Sequence, residues 1–134
     1  MVKYLLDTTV LIECLRRNRN MVQTVMAKGK GHDLAISSVT FGELMVGILK
    51  NDTPRRRASL RKVLAPIRIL LFDEAAATEF ARVKLALEKS GMVIGPYDMQ
   101  IAGHAISTAR HLVTHNSDEF SRIKRLHWED WEAK

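Results

Sequence analysis

Residues 94–102 read IGPYDMQIA, and this stretch has the pattern of the start of a core helix. Pro96 suits a first helical position, since its fixed φ angle fits a helix and its missing N–H is not needed there. After Asp98, small and apolar residues recur at helical spacing, which predicts a buried helix. Asp98 itself falls in the first turn, where unpaired backbone N–H groups and the helix dipole favour negative charge. Taken alone, Asp98 is explained either as a helix cap or as part of a functional site.

Short apolar runs alternate with helical patterns along the rest of the chain. Strands are expected at residues 3–6, 34–36, 67–72 and 111–114, with an edge strand within residues 126–131. Helices are expected from Thr8 or Thr9 onward, at 21–28, from Thr40, from Pro54, at 74–90 and at 119–122. Strands separated by helices favour an α/β fold with a mostly parallel central sheet of about four to five strands flanked by helices.

Several predicted helix boundaries carry their own signals. Thr40 and Glu43 have the spacing of a capping box, in which a hydroxyl at the helix start faces a glutamate three residues on. Thr53 and Asp73 have side chains suited to cap the helices that follow them. Gly91 is suited to close the helix that Asp73 begins.

Length and composition limit the class of protein. A chain of 134 residues is long enough for one core, so we expect a single domain over residues 1–134. Its apolar runs are shorter than the roughly 18 residues that span a bilayer, and Asp7 interrupts the N-terminal run. These features and the single cysteine, Cys14, predict a cytoplasmic protein with no membrane association. The net charge of +6 favours polyanions or an acidic protein as partners.

Acidic and amide side chains lie just beyond the carboxyl ends of the predicted strands. They are Asp7 after the first strand, Glu43 in the helix after the second, Asp98 in the helix that leads into the fourth, and Asn116, Asp118 and Glu119 after the fourth. In parallel sheets these ends share one edge, where ligands bind. Singly, each residue is also explained as a cap or turn residue, but together they favour one site.

Such a cluster of acids has a predictable chemistry. Two carboxylates 4 Å apart repel by about 1 kcal/mol in water and about 4 kcal/mol at the effective dielectric of a protein surface. A divalent cation offsets this repulsion, and carboxylate oxygens favour Mg²⁺, with Mn²⁺ as a plausible substitute. On a basic protein, such a site suits phosphodiester hydrolysis, because the surface attracts the nucleic-acid backbone. The pattern therefore predicts a metal-dependent nuclease.

Six short motifs carry a family resemblance along essentially the whole chain. They are KYLLDTT at 3–9, SSVTFGEL at 37–44, IGPYD at 94–98, IAGHA at 101–105, LVTHN at 112–116 and EF at 119–120. In this order the motifs resemble those of PIN-domain proteins. More narrowly, the chain resembles VapC-type toxins, the ribonuclease half of type II toxin–antitoxin pairs.

The resemblance implies a function and its partners. It implies a Mg²⁺-dependent endoribonuclease that cleaves single-stranded or loop RNA, with transfer RNA as one candidate substrate. It also implies a cognate VapB-type antitoxin and a homodimer. By position, Asp7 and Asp98 match the acids that hold the metal, and Glu43 matches a third acid, expected to help position the attacking water.

The fourth acid is where this chain departs from the family pattern. Asn116 stands in the position that many family members fill with an acid, so the resemblance favours Glu119, ahead of Asp118, to complete the catalytic set. Thr8, Asn116 and Asp118 are expected in supporting roles, although Thr8 also suits an N-cap. Thr9 replaces a common asparagine, and its hydroxyl can still orient Asp7.

Two other functions follow from the same residues. The missing acid at Asn116 leaves open a catalytically impaired PIN-fold module that binds RNA or a protein. An aspartyl-phosphate phosphotransferase is suggested by Asp7 at the end of the first strand, but that chemistry usually needs a second acid at the position of Thr9.

Overall fold

The computed structural model describes residues 1–16 and 18–132, and a five-stranded sheet lies at its centre. The strands are β1 (Lys3–Leu6), β2 (Asp33–Ser37), β3 (Arg68–Leu70), β4 (His111–Val113) and β5 (Trp128–Glu129). Their order across the sheet is β3-β2-β1-β4-β5, and every pair of neighbours is parallel. The expected α/β fold with a mostly parallel sheet is confirmed.

Seven helices cover the two faces of this sheet within the described residues. They are α1 (Thr8–Leu15), α2 (Arg19–Gly29), α3 (Ser38–Lys50), α4 (Pro54–Leu64), α5 (Glu74–Ser90), α6 (Pro96–Ser107) and α7 (Ser117–Phe120). The predicted bounds of α5 are confirmed: Asp73 caps its first turn, and Gly91 ends it with a φ of 69°. None of the helices in the described ranges is long and apolar enough to cross a membrane.

Two hydrophobic clusters lie on opposite faces of the sheet. Alternation along β1 assigns its residues to them, because Tyr4 and Leu6 pack into one cluster and Leu5 into the other. The first cluster joins the sheet to α1–α4, and the second joins it to α5 and α6. Helices α5 and α6 pack closely at Gly103, where an added Cβ would lie 2.4 Å from the backbone nitrogen of Phe80. This packing fixes α6, and with it the position of Asp98.

Helix α1 begins at Thr8, one of its two predicted starts, whereas α3 begins at Ser38, two residues before its predicted start at Thr40. The N-cap of α1 is Asp7 rather than Thr8, since the Asp7 side chain accepts a hydrogen bond from the Thr8 N–H. The N-cap of α3 is Ser37, whose hydroxyl accepts from the Val39 N–H. The predicted capping box at Thr40 and Glu43 is therefore wrong, because both residues lie inside α3. Thr40 is fully buried, and Glu43 is left to make contacts outside the helix.

The third strand and the last helix also differ from their predicted bounds. The predicted strand 67–72 contains the three-residue edge strand β3, whose only neighbour in the described sheet is β2. The chain leaves the sheet after β3, and the Phe72 N–H donates instead to the Ser38 hydroxyl. The helix predicted at 119–122 lies two residues earlier, as α7. The expected last strand is confirmed as β5, the opposite edge.

Candidate functional site

The carboxyl edge of the sheet brings together four of the acids singled out from the sequence. Asp7 follows β1 directly, and Asp98 is the third residue of α6. The charges of Asp7, Glu43 and Glu119 all act on the Asp98 carboxyl. Asp118 is on the outer side of α7, where it is exposed.

Asp7 is buried and held by hydroxyl groups. Its Oδ2 accepts hydrogen bonds from Thr114 Oγ1 at 2.7 Å and from Thr9 Oγ1 at 3.2 Å. Its Oδ1 accepts from the Thr8 N–H at 2.8 Å. Burial raises the pKa of Asp7 above its ordinary value, while these hydrogen bonds and the charge of His115 act to lower the pKa. The carboxylate is therefore fixed in orientation by neutral donors, as a metal ligand needs to be.

Glu43 is tied to the start of α1 through Thr8. The Thr8 hydroxyl donates to Glu43 Oε1 at 3.0 Å and also lies 3.4 Å from Thr40 Oγ1. The supporting position predicted for Thr8 thus coincides with a bridge between α1 and α3. This bridge explains why Glu43, five residues into α3, faces the same edge as Asp7.

Asp98 has the most perturbed acid–base equilibrium of the cluster. The pKa of its carboxyl is raised to about 7, with burial as the largest cause and a hydrogen bond with Glu119 as the next. The negative charges of neighbouring acids contribute to the same shift. Glu119 Oε2 is buried without a hydrogen-bond partner in the described part of the chain. A raised pKa and an unpartnered buried carboxylate oxygen are what an oxygen-ligand cation site shows before a cation compensates it.

The turn after β4 links these acids to one another. Thr114 Oγ1 accepts from the Asn116 N–H at 3.0 Å while it donates to Asp7. The Asn116 side chain reaches Asp98, with Nδ2 at 3.5 Å from Oδ2. Asn116 therefore contacts the cluster as an amide donor. Thr114 was not singled out from the sequence, since its partner Asp7 is 107 residues away.

His115, in the same turn, was likewise not predicted as a site residue. Its Nδ1 lies 2.8 Å from Asp130 Oδ1 and 3.4 Å from Glu132 Oε2. These three residues are the group in the described ranges whose possible ligand atoms all lie within 4.8 Å of one another. At 2.8 Å, His115 Nδ1 and Asp130 Oδ1 are within hydrogen-bond distance, and this contact links the turn to the C-terminal segment.

A concave surface lies away from the acids, between α1, α2 and α4. It is an apolar groove of about 830 Å³, lined by residues such as Leu15, Val22 and Met26. Arg19, Lys30 and Lys62 also line it, with basic side chains.

Comparisons with known proteins agree with this geometry. Residues 4–126 match the family model described as the PIN domain. The chain is 36% identical over 132 residues to the tRNA(fMet)-specific endonuclease VapC of Shigella flexneri, with 98% of this chain and 99% of the relative covered. It is 34% identical over 132 residues to the ribonuclease VapC2 of Haemophilus influenzae strain Rd, with the same coverage of both chains.

Two solved structures share the fold over nearly the whole chain. The first is VapBC2 from Rickettsia felis bound to a DNA fragment from their promoter, with a TM-score of 0.89 and 28% identity. The second is DNA-bound VapBC from Salmonella typhimurium, with a TM-score of 0.87 and 32% identity. In each case 98% of this chain and 99% of the other chain are covered.

Proposed function

The chain belongs to the PIN-domain family, and we propose that it is a VapC-type endoribonuclease, the toxin of a toxin–antitoxin pair. The observation that carries this proposal is the acid cluster at the carboxyl edge of the sheet, in which the pKa of Asp98 is raised to about 7. Relatives named ribonuclease or endonuclease VapC support the same activity, since they match the chain over nearly its full length.

Mg²⁺ is the proposed cofactor, with Mn²⁺ able to substitute. Asp7 and Asp98 would hold the ion, and Glu119 would complete the set with its unpartnered oxygen. When bound, the ion supplies activation of water and neutralises charge on the attacked phosphate.

The protein groups around the cluster have separate tasks in the proposed reaction. Thr9 and Thr114 keep the Asp7 carboxylate ionised and oriented. Glu43, whose Oε1 is held by Thr8, orients the attacking water and accepts its proton at Oε2. Asn116 keeps Asp98 turned toward the cluster through its amide.

The proposed substrate is single-stranded or loop RNA. The net charge of +6 supports a polyanion substrate, because basic groups attract the phosphate backbone. Unpaired segments are favoured because their bases are accessible to side chains. Transfer RNA is the specific candidate, supported by the Shigella flexneri relative that is named for tRNA(fMet).

The proposed macromolecular partners are a VapB-type antitoxin and a second copy of the chain. Structures of relatives with VapB support the antitoxin. The apolar groove with basic lining between α1, α2 and α4 has the chemistry to take an amphipathic segment that carries acidic groups. Exposed apolar residues on α3, Val46 and Leu49, support a homodimer face.

Cleavage of RNA by the wild-type chain and by Asp7→Asn tests the activity, because asparagine keeps an oxygen to cap α1 while it removes the charge. Asp118→Asn is the matched control, since this acid is exposed on α7. We expect Mg²⁺-dependent cleavage by the wild type and the control, and none by Asp7→Asn. Equal cleavage by Asp7→Asn would contradict the proposal. RNA that is bound but uncut, with no binding of Mg²⁺ or Mn²⁺, would favour the binding module instead.

A further inference from the structure

The C-terminal segment, residues 128–132, runs beside the turn that organises the acids. Strand β5 pairs with β4, and the Thr114 N–H donates to the Glu129 carbonyl at 3.1 Å. One residue beyond each of these, past the ends of the two strands, His115 contacts Asp130. The segment therefore contacts the turn through both its backbone and its side chains.

The segment is itself anchored in the core. Trp131 packs edge-on against Tyr4, with ring centroids 5.0 Å apart, and Lys28 Nζ lies 5.6 Å from the Trp131 ring. Trp131 Nε1 donates to Glu129 Oε1 at 2.9 Å. Since Tyr4 is 4% exposed in β1, Trp131 fastens the segment to a central strand. A segment held in this way can serve as a rigid support.

The His115 ring has polar contacts on one side. Nδ1 lies 2.8 Å from Asp130 Oδ1, while Nε2 is buried without a hydrogen-bond partner among the described residues. Nδ1 therefore carries the proton that Asp130 accepts, and Asp130 is held in place because its Oδ1 also accepts the Glu132 N–H at 2.9 Å. The orientation of the ring depends on this contact.

We propose that Asp130, acting through His115, is a positioning residue for the acid cluster. His115 lies between Thr114, which donates to Asp7, and Asn116, which reaches Asp98. By fixing the ring between them, Asp130 holds both contacts in register. The inference rests on the proposed function for its effect on catalysis, but the contact itself does not.

The expected effect follows from how supporting contacts act on metal ligands. Loss of such a partner lowers metal affinity or activity by about 10–100-fold. Asp130→Ala therefore lowers kcat for RNA cleavage by about 10-fold and weakens Mn²⁺ binding by a similar factor, with KM for RNA within about twofold. Asp130→Asn retains most activity, because an amide oxygen still accepts the His115 Nδ1 proton.

The experiment compares these two variants with Glu132→Ala. Glu132 is the matched control, since its carboxylate also approaches His115, at 3.4 Å, but its side chain is 58% exposed. The readouts are kcat and KM, Mn²⁺ titration by calorimetry, and hydrogen exchange at the Asn116 amide, which donates to Thr114. We expect Asn116 exchange to accelerate several-fold in Asp130→Ala alone, while circular dichroism shows all three variants folded.

The outcomes separate this inference from the proposed function. Unchanged Asn116 exchange and unchanged Mn²⁺ affinity in Asp130→Ala would overturn the positioning role. The same holds if Asp130→Asn loses as much as Asp130→Ala, because the hydrogen bond would then not be the cause. If the wild type cleaves no RNA, the proposed function fails, while exchange at Asn116 still decides whether Asp130 orders the turn.

Discussion

The two ends of the sheet hold partly buried carboxylates in opposite electrostatic environments. At the amino end, Arg110 forms two hydrogen bonds to the Asp33 carboxylate, at 3.1 and 3.3 Å, and also donates to the Tyr4 carbonyl. The guanidinium of Arg110, with that of Arg68, holds the pKa of Asp33 below its usual range. At the carboxyl end, burial and neighbouring acids raise the pKa of Asp98.

This difference distinguishes an end with a stabilising ion pair from the end where we propose that a cation binds. A paired buried carboxylate is stable by itself, whereas grouped acids remain unfavourable until a cation joins them. The hydrogen bonds to Asp7 come from hydroxyl and backbone N–H groups, which orient the carboxylate without neutralising it. His115 compensates part of the charge on Asp7, but Asp130 and Glu132 already lie against its ring.

The largest effect is expected at the amino end, from Arg110→Met. This substitution leaves the partly buried Asp33 without its main partner, and breaking a buried ion pair costs up to about 3–5 kcal/mol. Urea denaturation measures the loss in the free energy of unfolding. Arg68→Met is the control, because Arg68 is 64% exposed and 3.6 Å from Asp33, so we expect a loss below about 1 kcal/mol. Equal losses in the two variants would show that Arg110 stabilises Asp33 no more than the exposed Arg68 does.

The next effect is expected at the carboxyl end, from Asp98→Asn, and it has two parts of opposite sign. We expect cleavage to fall by about 100-fold or more, because the proposed metal ligand and its charge are lost. Stability in the absence of metal rises at neutral pH, because the substitution removes one of the repelling charges. Cleavage assays and thermal unfolding with a chelator measure the two parts. A metal-free variant less stable than the wild type at neutral pH would contradict the comparison.

A third prediction concerns how pH and Mg²⁺ act together. The folded pKa of Asp98 is about 7, above the unfolded value near 4, so its contribution to stability is fully present below about pH 4 and is lost as pH rises toward 7. We expect Mg²⁺, bound as proposed, to offset this loss because it binds the ionised carboxylate. At about 100 times its Kd, Mg²⁺ should raise the free energy of unfolding by about 2.7 kcal/mol at about pH 8, and by much less at about pH 5.

Asp98→Asn is the control for this third prediction, since it removes the titrating group. We expect the pH dependence of Mg²⁺ stabilisation to weaken in that variant. Equal stabilisation of the wild type by Mg²⁺ at both pH values would contradict the raised pKa of Asp98 as the cause.

The strands and the acids near their ends are predictable from the sequence, because both depend on local patterns. Short apolar runs between helical patterns predict β1 and the other strands. Positions after strands or near helix starts identify Asp7, Glu43 and Asp98. The caps at Asp7 and Ser37 were missed by one to three residues, because adjacent hydroxyl and acidic residues all suit a cap. Local propensity does not choose among them.

The contacts that complete each end join residues far apart in the chain. Asp33 and Arg110 are separated by 77 residues, and Asp7 and Thr114 by 107. No local pattern specifies such pairs, because the order of strands in the sheet determines which residues meet. The observed strand order, β3-β2-β1-β4-β5, places the turn after β4 beside Asp7 and the C-terminal segment beside that turn.

The smallest effect separates the two hydroxyl groups on Asp7 Oδ2. Thr114 Oγ1 is buried and donates at 2.7 Å, whereas Thr9 is exposed and donates at 3.2 Å. A shorter, buried hydrogen bond to a charged group contributes more, about 1.5–3 kcal/mol against less than about 1 for an exposed one. Thr114→Val should therefore reduce cleavage by about 10-fold and Thr9→Val by about threefold or less. If Thr9→Val has the larger effect, the hydrogen bond from Thr9 in α1 orients Asp7 more strongly than the hydrogen bond from Thr114 at the turn after β4.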